Sequence, residues 1–253
     1  DWVRGQLRSA ACECCHASER GVGAAVFDAD AEGNMANMFH DAGLPKGCLN
    51  IVWGEPAKIS DYLIRSPIVR KVSFTGSVPV GKQLAALAGA HMKRVTMELG
   101  GHSPVLVFDD ADIDRAATML AKFKVRNAGQ VCVSPTRFYV QNGAYEQFLA
   151  RFSDVLNNIK VGDGLEAGTD MGPLAHERRV PAMSAFIDDA KKHGGKVVVG
   201  GGPLDRKGFF FAPTVVTDLP DNSMLMTEEP FGPVAPVVRF TDTHEVLARA
   251  NSL

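Results

Sequence analysis

From residue 38 onward, short apolar runs alternate with stretches whose apolar residues recur at helical spacing. Residues 38–45 read as a helix end stopped by Gly43 and Pro45, and residues 49–52 as a short strand. Residues 69–74 alternate apolar and polar side chains as a strand would, residues 75–77 turn, and residues 80–90 have helical composition, which makes a βα unit. Residues 95–99 and 104–108 predict two more strands, separated by Gly100 and Gly101. A helix entered through acidic residues follows at 112–123, then a strand at 137–140. Over 145–156, Phe148, Leu149, Phe152, Val155 and Leu156 fall on one helical face. A second amphipathic stretch, 177–193, precedes a strand-like 196–199, and both read as core faces. This order predicts an α/β fold on a parallel sheet. Repeats, low-complexity tracts and flexible linkers are missing, so the domain boundary expected near Gly100 and Gly101 is a compact one.

Composition narrows the partners. With 253 residues, 45% of them hydrophobic, the chain can bury one large core or two smaller ones. Its 27 basic and 29 acidic residues give a formal charge of -2 with no long run of either sign. That leaves no electrostatic footprint for nucleic acid or an anionic membrane and favours a small-molecule partner. No apolar stretch approaches the roughly 20 residues of a membrane helix, and no secretory leader opens the chain, so a soluble, cytoplasmic protein is expected. The odd set Cys12, Cys14, Cys15, Cys48 and Cys132 argues against a disulfide framework and for a reducing compartment. The chain opens on Asp1 and closes at residues 250–253 in what reads as an interrupted helix, so a piece of a longer protein is expected.

Two residues carry candidate chemistry. Cys132 follows the glycine-bearing Asn127-Ala128-Gly129-Gln130-Val131 and precedes Ser134-Pro135, a loop setting in which reactive side chains commonly lie. The plainer alternative is a small buried hydrophobe. Glu98 lies in the apolar run Val95-Thr96-Met97-Glu98-Leu99 and leads into Gly100-Gly101. An apolar setting would raise its pKa and suit it to act as a base; the alternative is a carboxylate paired with Lys93 or Arg94 on a solvated strand face.

Met97-Glu98-Leu99-Gly100-Gly101 followed by Gly129-Gln130-Val131-Cys132 resembles the paired active-site signature of the aldehyde dehydrogenase family. Ser73-Phe74-Thr75-Gly76-Ser77, Met171-Gly172-Pro173-Leu174 and Glu228-Glu229-Pro230-Phe231-Gly232-Pro233 are similar to further stretches of that family in the expected order. The resemblance implies part of a Rossmann-type cofactor domain at 1–100, with 1–38 matching poorly, followed by an α/β catalytic domain at 101–253 that is truncated at its C-terminus. It implies Cys132 as the nucleophile toward an aldehyde, Glu98 as the base for the hydrolytic water, and the Cys132 backbone N–H as one oxyanion donor. It implies NAD or NADP as cofactor, with Gly76 and Ser77 at its pyrophosphate, Glu229 and Phe231 at the nicotinamide ribose and ring, and Glu19 at the adenosine ribose, where a carboxylate favours NAD. A homo-oligomer is implied for the intact protein.

Arg126, six positions before Cys132, resembles the arginine with which succinate-semialdehyde dehydrogenases pair the substrate carboxylate, and a guanidinium fork suits that group. A surface ion pair is the alternative. The family's Pro-Trp-Asn oxyanion motif is missing from the chain, so an inactive fragment that keeps the fold stands beside the working enzyme. A third reading is a P-loop nucleotide-binding protein, because Gly76 to Lys82 has Walker A spacing; Gln83 in place of the magnesium-binding Ser or Thr, and Pro79 within the loop, oppose it. Cys12, Cys14, Cys15 and His16 lack the paired spacing of structural zinc, and no metal is expected.

Overall fold

The computed structural model describes residues 37–45, 48–50, 52 and 54–253. The chain divides into two compact units, 1–100 and 101–253. Glu19 and the cluster of Cys12, Cys14, Cys15 and His16 lie outside the described residues.

In the first unit, a helical turn at 37–41 ends where Leu44 N–H donates to the Phe39 carbonyl and Gly43 takes φ +83°, the left-handed stop expected of a glycine there. The strand expected at 49–52 is not formed at residues 49, 50 and 52, and residue 51 is not described. Helix α1 (Pro56–Arg65) opens with proline in its first turn. Strand β1 (Lys71–Gly76), helix α2 (Val78–Ala90) and strand β2 (Arg94–Leu99) form a βαβ unit whose two strands run parallel, Lys71 opposite Arg94 and Gly76 opposite Leu99. Both β1 and α2 start two residues from where the periodicity placed them. Lys93 Nζ donates to the carbonyls of Ser66 and Val69, each at 2.7 Å, which pins the approach to β1 beside the start of β2.

The second unit is a five-stranded sheet in the order β3-β4-β7-β6-β5. Its strands are β3 (Pro104–Val107), β4 (Arg137–Gln141), β5 (Lys196–Val199), β6 (Thr214–Thr217) and β7 (Val234–Phe240). All neighbours are parallel except β5, which pairs antiparallel with β6. The sequence reading reached β3, β4 and β5 but not β6 or β7, although β7 is the middle strand and buries all its residues except Arg239. Helices α3 (Ile113–Val125), α4 (Tyr145–Asn157), α5 (Arg179–Lys192), α6 (Met224–Thr227) and α7 (Thr243–Ala250) complete the unit. Asp112 caps α3 by accepting from Arg115 N–H, and Asp242 caps α7 by accepting from His244 and Glu245 N–H.

The core is built as the helical stripe of α4 requires. Phe148 stacks on Phe152 with ring centroids 5.3 Å apart, Phe152 meets Phe138 of β4 at 5.1 Å, and the Tyr145 hydroxyl donates to the Val237 carbonyl of β7. Buried Arg137, on β4, donates to the carbonyls of His102, Arg249 and Ala250, so a cation closes the C-terminus of α7. Among the described residues, no helix is long and apolar enough to cross a membrane.

Candidate active site

Helix α3 delivers the cysteine loop. Its buried positions Ile113, Ala117, Ala121, Lys124 and Val125 face the core, and the chain then enters a tight turn, Arg126–Gly129. Asn127 (φ 49°, ψ 38°), Ala128 (φ 53°, ψ 34°) and Gly129 (φ 73°) are left-handed in succession. Such backbone costs about 1–2 kcal/mol per non-glycine residue and persists only where its surroundings over-determine it. Here they do. Asn127 Nδ2 donates to the Gln130 carbonyl at 3.0 Å, Gln130 Nε2 returns to the Asn127 carbonyl at 3.1 Å, and Gln130 Oε1 accepts from Ala175 N–H at 3.0 Å. Ser134 N–H donates to the Val131 carbonyl, closing the turn on which half-buried Cys132 stands.

A second strained turn meets the first. Phe231 takes φ +43°, and Arg179 Nη2 donates to the carbonyls of Pro230 at 2.6 Å and Phe231 at 3.2 Å. A Cβ on Gly129 would lie 2.1 Å from the Gly232 carbonyl oxygen, so the two turns touch backbone to backbone and glycine is required there. Just before this contact, half-buried Glu229 accepts from the Gly101 N–H. Burial pushes its carboxyl up to about 7, against the opposing pull of that N–H and of the Lys124 and Arg179 charges. Lys124 is 0% exposed, and burial lowers its ammonium to about 7 while the Glu229 charge opposes the shift. Beside them the His102 ring bridges Thr136 Oγ1 at 2.8 Å and the Leu225 carbonyl at 3.0 Å; burial, with Arg137 nearby, lowers it to about 4. His102 is therefore neutral at pH 7, its Nε2–H donating to Leu225 and its Nδ1 accepting from the threonine hydroxyl.

Of the residues singled out in the sequence, Cys132, Arg126, Glu229 and Phe231 belong to the second unit, and Glu98, Gly76 and Ser77 to the first. Arg126 is exposed and forms no ion pair among the described residues. Glu98, opposite Thr75 on β2, is exposed. The apolar enclosure expected for it is not formed, because nothing in the described part of a two-stranded ribbon covers that face. Lys93 is committed to carbonyls instead, and Glu98 makes no ion pair among the described residues. Gly76 ends β1, and Ser77 is the N-cap of α2 with no side-chain capping bond.

The Walker-like spacing does not make a phosphate-cradling loop: residues 78–82 already belong to α2, Gly81 is buried where a Cβ would lie 2.4 Å from Leu99, and Lys82 is exposed. That glycine serves helix-to-strand packing. Lys124 and Arg179 were not picked out in the sequence. Lys124 could have been, since it follows Ile113, Ala117 and Ala121 on the apolar stripe of α3, where a lysine is out of place. Arg179 carried no such signal.

The chain matches the Aldehyde dehydrogenase family over residues 31–253. It is 42% identical over 217 residues to the NADP(+) succinate-semialdehyde dehydrogenase of Escherichia coli strain K12, covering 86% of this chain and 45% of that protein. It is 46% identical over 208 residues to the 4-(hydroxymethyl)benzenesulfonate dehydrogenase of Comamonas testosteroni, covering 82% and 43%. The crystal structure of succinate-semialdehyde dehydrogenase from Burkholderia pseudomallei superposes with a TM-score of 0.84 at 40% identity, covering 86% of this chain and 45% of that one. The chain thus spans less than half the length of these relatives.

Proposed function

Because the chain belongs to the aldehyde dehydrogenase family, we propose that it carries the nucleophile of an NAD- or NADP-dependent oxidoreductase that converts an aldehyde, in the first instance an acid semialdehyde such as succinate semialdehyde, to the carboxylic acid. What supports the reading most is the meeting of Gly129 with Gly232, which sets the turn bearing Cys132 against the turn bearing Glu229 and Phe231.

The Cys132 thiolate adds to the carbonyl carbon and forms a thiohemiacetal; once that carbon has lost its hydride, a thioester remains. Glu98 takes a proton from the attacking water, the acid departs, and the Cys132 thiolate is restored. When bound, the dinucleotide supplies the hydride acceptor. The residues fit such a ligand: Ser77 leaves the N–H groups of α2 to a pyrophosphate, and the Glu229 carboxylate can accept from ribose hydroxyls. Arg126, exposed and without an ion pair among the described residues, suits the anionic end of the substrate. The substrates named for the two curated relatives carry a carboxylate and a sulfonate, respectively. A homo-oligomer in the cytoplasm accompanies this reading.

The test is nicotinamide absorbance and intact mass on the purified protein with succinate semialdehyde and NAD or NADP, alongside Cys132→Ala. Aldehyde-dependent reduction that Cys132→Ala abolishes, and a thioester on the Cys132 peptide that accumulates in Glu98→Gln, are expected. Equal turnover by wild type and Cys132→Ala sinks the assignment.

A further inference from the structure

We propose that Lys124 is a positioning residue for Glu229: the buried ammonium of α3 keeps the carboxylate at the head of the 229–232 turn in the form that accepts hydrogen bonds from the ribose hydroxyls of the dinucleotide. The inference rests on the dehydrogenase reading for the identity of the ligand, but not for the coupling of the two side chains.

Lys124 Nζ is fully buried and has no hydrogen-bond partner among the described residues. A lysine in such a place, on a helix face otherwise made of Ile113, Ala117, Ala121 and Val125, is unfavourable for folding unless it serves another group. The charge of Glu229 favours the ammonium form of Lys124, while the Lys124 charge also reaches the ring of His102, which burial keeps neutral. Glu229 is fixed in place independently: its carboxylate accepts from Gly101 N–H, the two carbonyls that follow it are held by Arg179, and Gly232 abuts Gly129. The charged groups facing Glu229 are Lys124 from α3 and Arg179 from α5, with the Gly101 N–H from the segment before β3; neighbouring Glu228 is exposed. Arg179 donates to main-chain carbonyls while its charge also reaches Glu229, whereas the Lys124 ammonium donates to nothing among the described residues.

The arrangement has a consequence for binding. Both groups are driven toward their neutral forms by burial, and each opposes that shift in the other. Removal of the lysine charge therefore favours the protonated acid, a poorer acceptor, and moves dinucleotide binding to higher pH.

The experiment is a carbon-13 carboxyl titration of the full chain labelled at glutamate Cδ, with the Glu229 signal assigned by Glu229→Gln, in wild type and in Lys124→Met, whose side chain fills the same volume. Glu229 is expected to titrate near neutrality in the wild type and about one unit higher in Lys124→Met, the lower end of what an adjacent opposite charge does. Glu229→Gln should lower the Lys124 midpoint in the reciprocal titration, a reading that stands even if Lys124→Met does not fold. An unmoved Glu229 midpoint in folded Lys124→Met, or an unmoved Lys124 midpoint in Glu229→Gln, overturns the coupling. NAD affinity against pH is then measured on the same proteins. A binding midpoint that rises with the Glu229 midpoint is expected, and one that stays fixed while Glu229 moves overturns the ribose-binding role. Because the titrations need neither cofactor nor turnover, failure of the coupling is separable from failure of the dehydrogenase reading.

Discussion

Gly129→Ala is the sharpest perturbation of the site, because its effect can be worked from the backbone alone. At φ 73° an alanine pays about 1–2 kcal/mol for the left-handed conformation. Its Cβ would also lie 2.1 Å from the Gly232 oxygen, a main-chain atom, where ordinary contact begins near 3.4 Å, so the two turns must part by about 1.3 Å. Forcing extra volume into a packed contact costs about 1–3 kcal/mol more, for a total of about 2–5 kcal/mol. For a chain of this size that lowers the melting temperature by roughly 5–15 °C. Differential scanning calorimetry checks this, with Gly172→Ala as control: a Cβ there meets nothing within 4 Å, and the change should stay within about 0.5 kcal/mol. A second readout is alkylation of Cys132 by iodoacetamide, followed by peptide mass to separate it from exposed Cys48. The reasoning is refuted if Gly129→Ala keeps the wild-type melting temperature and the wild-type Cys132 alkylation rate.

Other expectations follow from the same structure. Arg137→Met leaves the carbonyls of His102 and Ala250 without their donor, while that of Arg249 keeps Ser252, and should destabilise by about 2–4 kcal/mol in urea unfolding, with α7 the first element to fray; a change below about 0.5 kcal/mol contradicts it. Arg179→Ala frees the carbonyls of Pro230 and Phe231, so amide exchange over residues 229–233 should accelerate, and unchanged protection would mean the strained turn holds without its clamp. His102 is lowered from 6.5 to about 4, chiefly by burial, so the unfolded chain binds the extra proton first and stability falls as pH drops through that window. His102→Gln should flatten this acid limb, and an acid limb identical to wild type would show that His102 does not titrate as argued. Cys132→Ala should leave NAD binding intact while abolishing acyl-enzyme formation, as intact mass and fluorescence titration will report.

The parts of the fold that the sequence exposes are those governed by local rules. The α4 stripe of Phe148, Phe152 and Leu156, the Asp112 cap of α3 and the Gly43 stop each follow from neighbours a few residues away, and each stands where the spacing puts it. The middle strand β7 escaped because a strand buried on both faces has no alternation to read: Val234, Ala235, Pro236, Val237 and Val238 are one apolar run. The glycine spacing of Gly76 to Lys82 misleads for a related reason, since Gly81 is small to admit Leu99 rather than a phosphate.

The sequence by itself determined the family, and it singled out Cys132, Glu98, Glu229 and Phe231 as candidates, because they sit in short motifs whose chemistry depends on residue type and order. Only the tertiary structure decided what holds them. The left-handed run at Asn127, Ala128 and Gly129, the arginine that grips Pro230 and Phe231, and the buried lysine facing Glu229 join positions about 50 to 100 residues apart. Strain, desolvation and charge coupling are properties of what surrounds an atom in space, and a pattern of neighbours along the chain does not contain them.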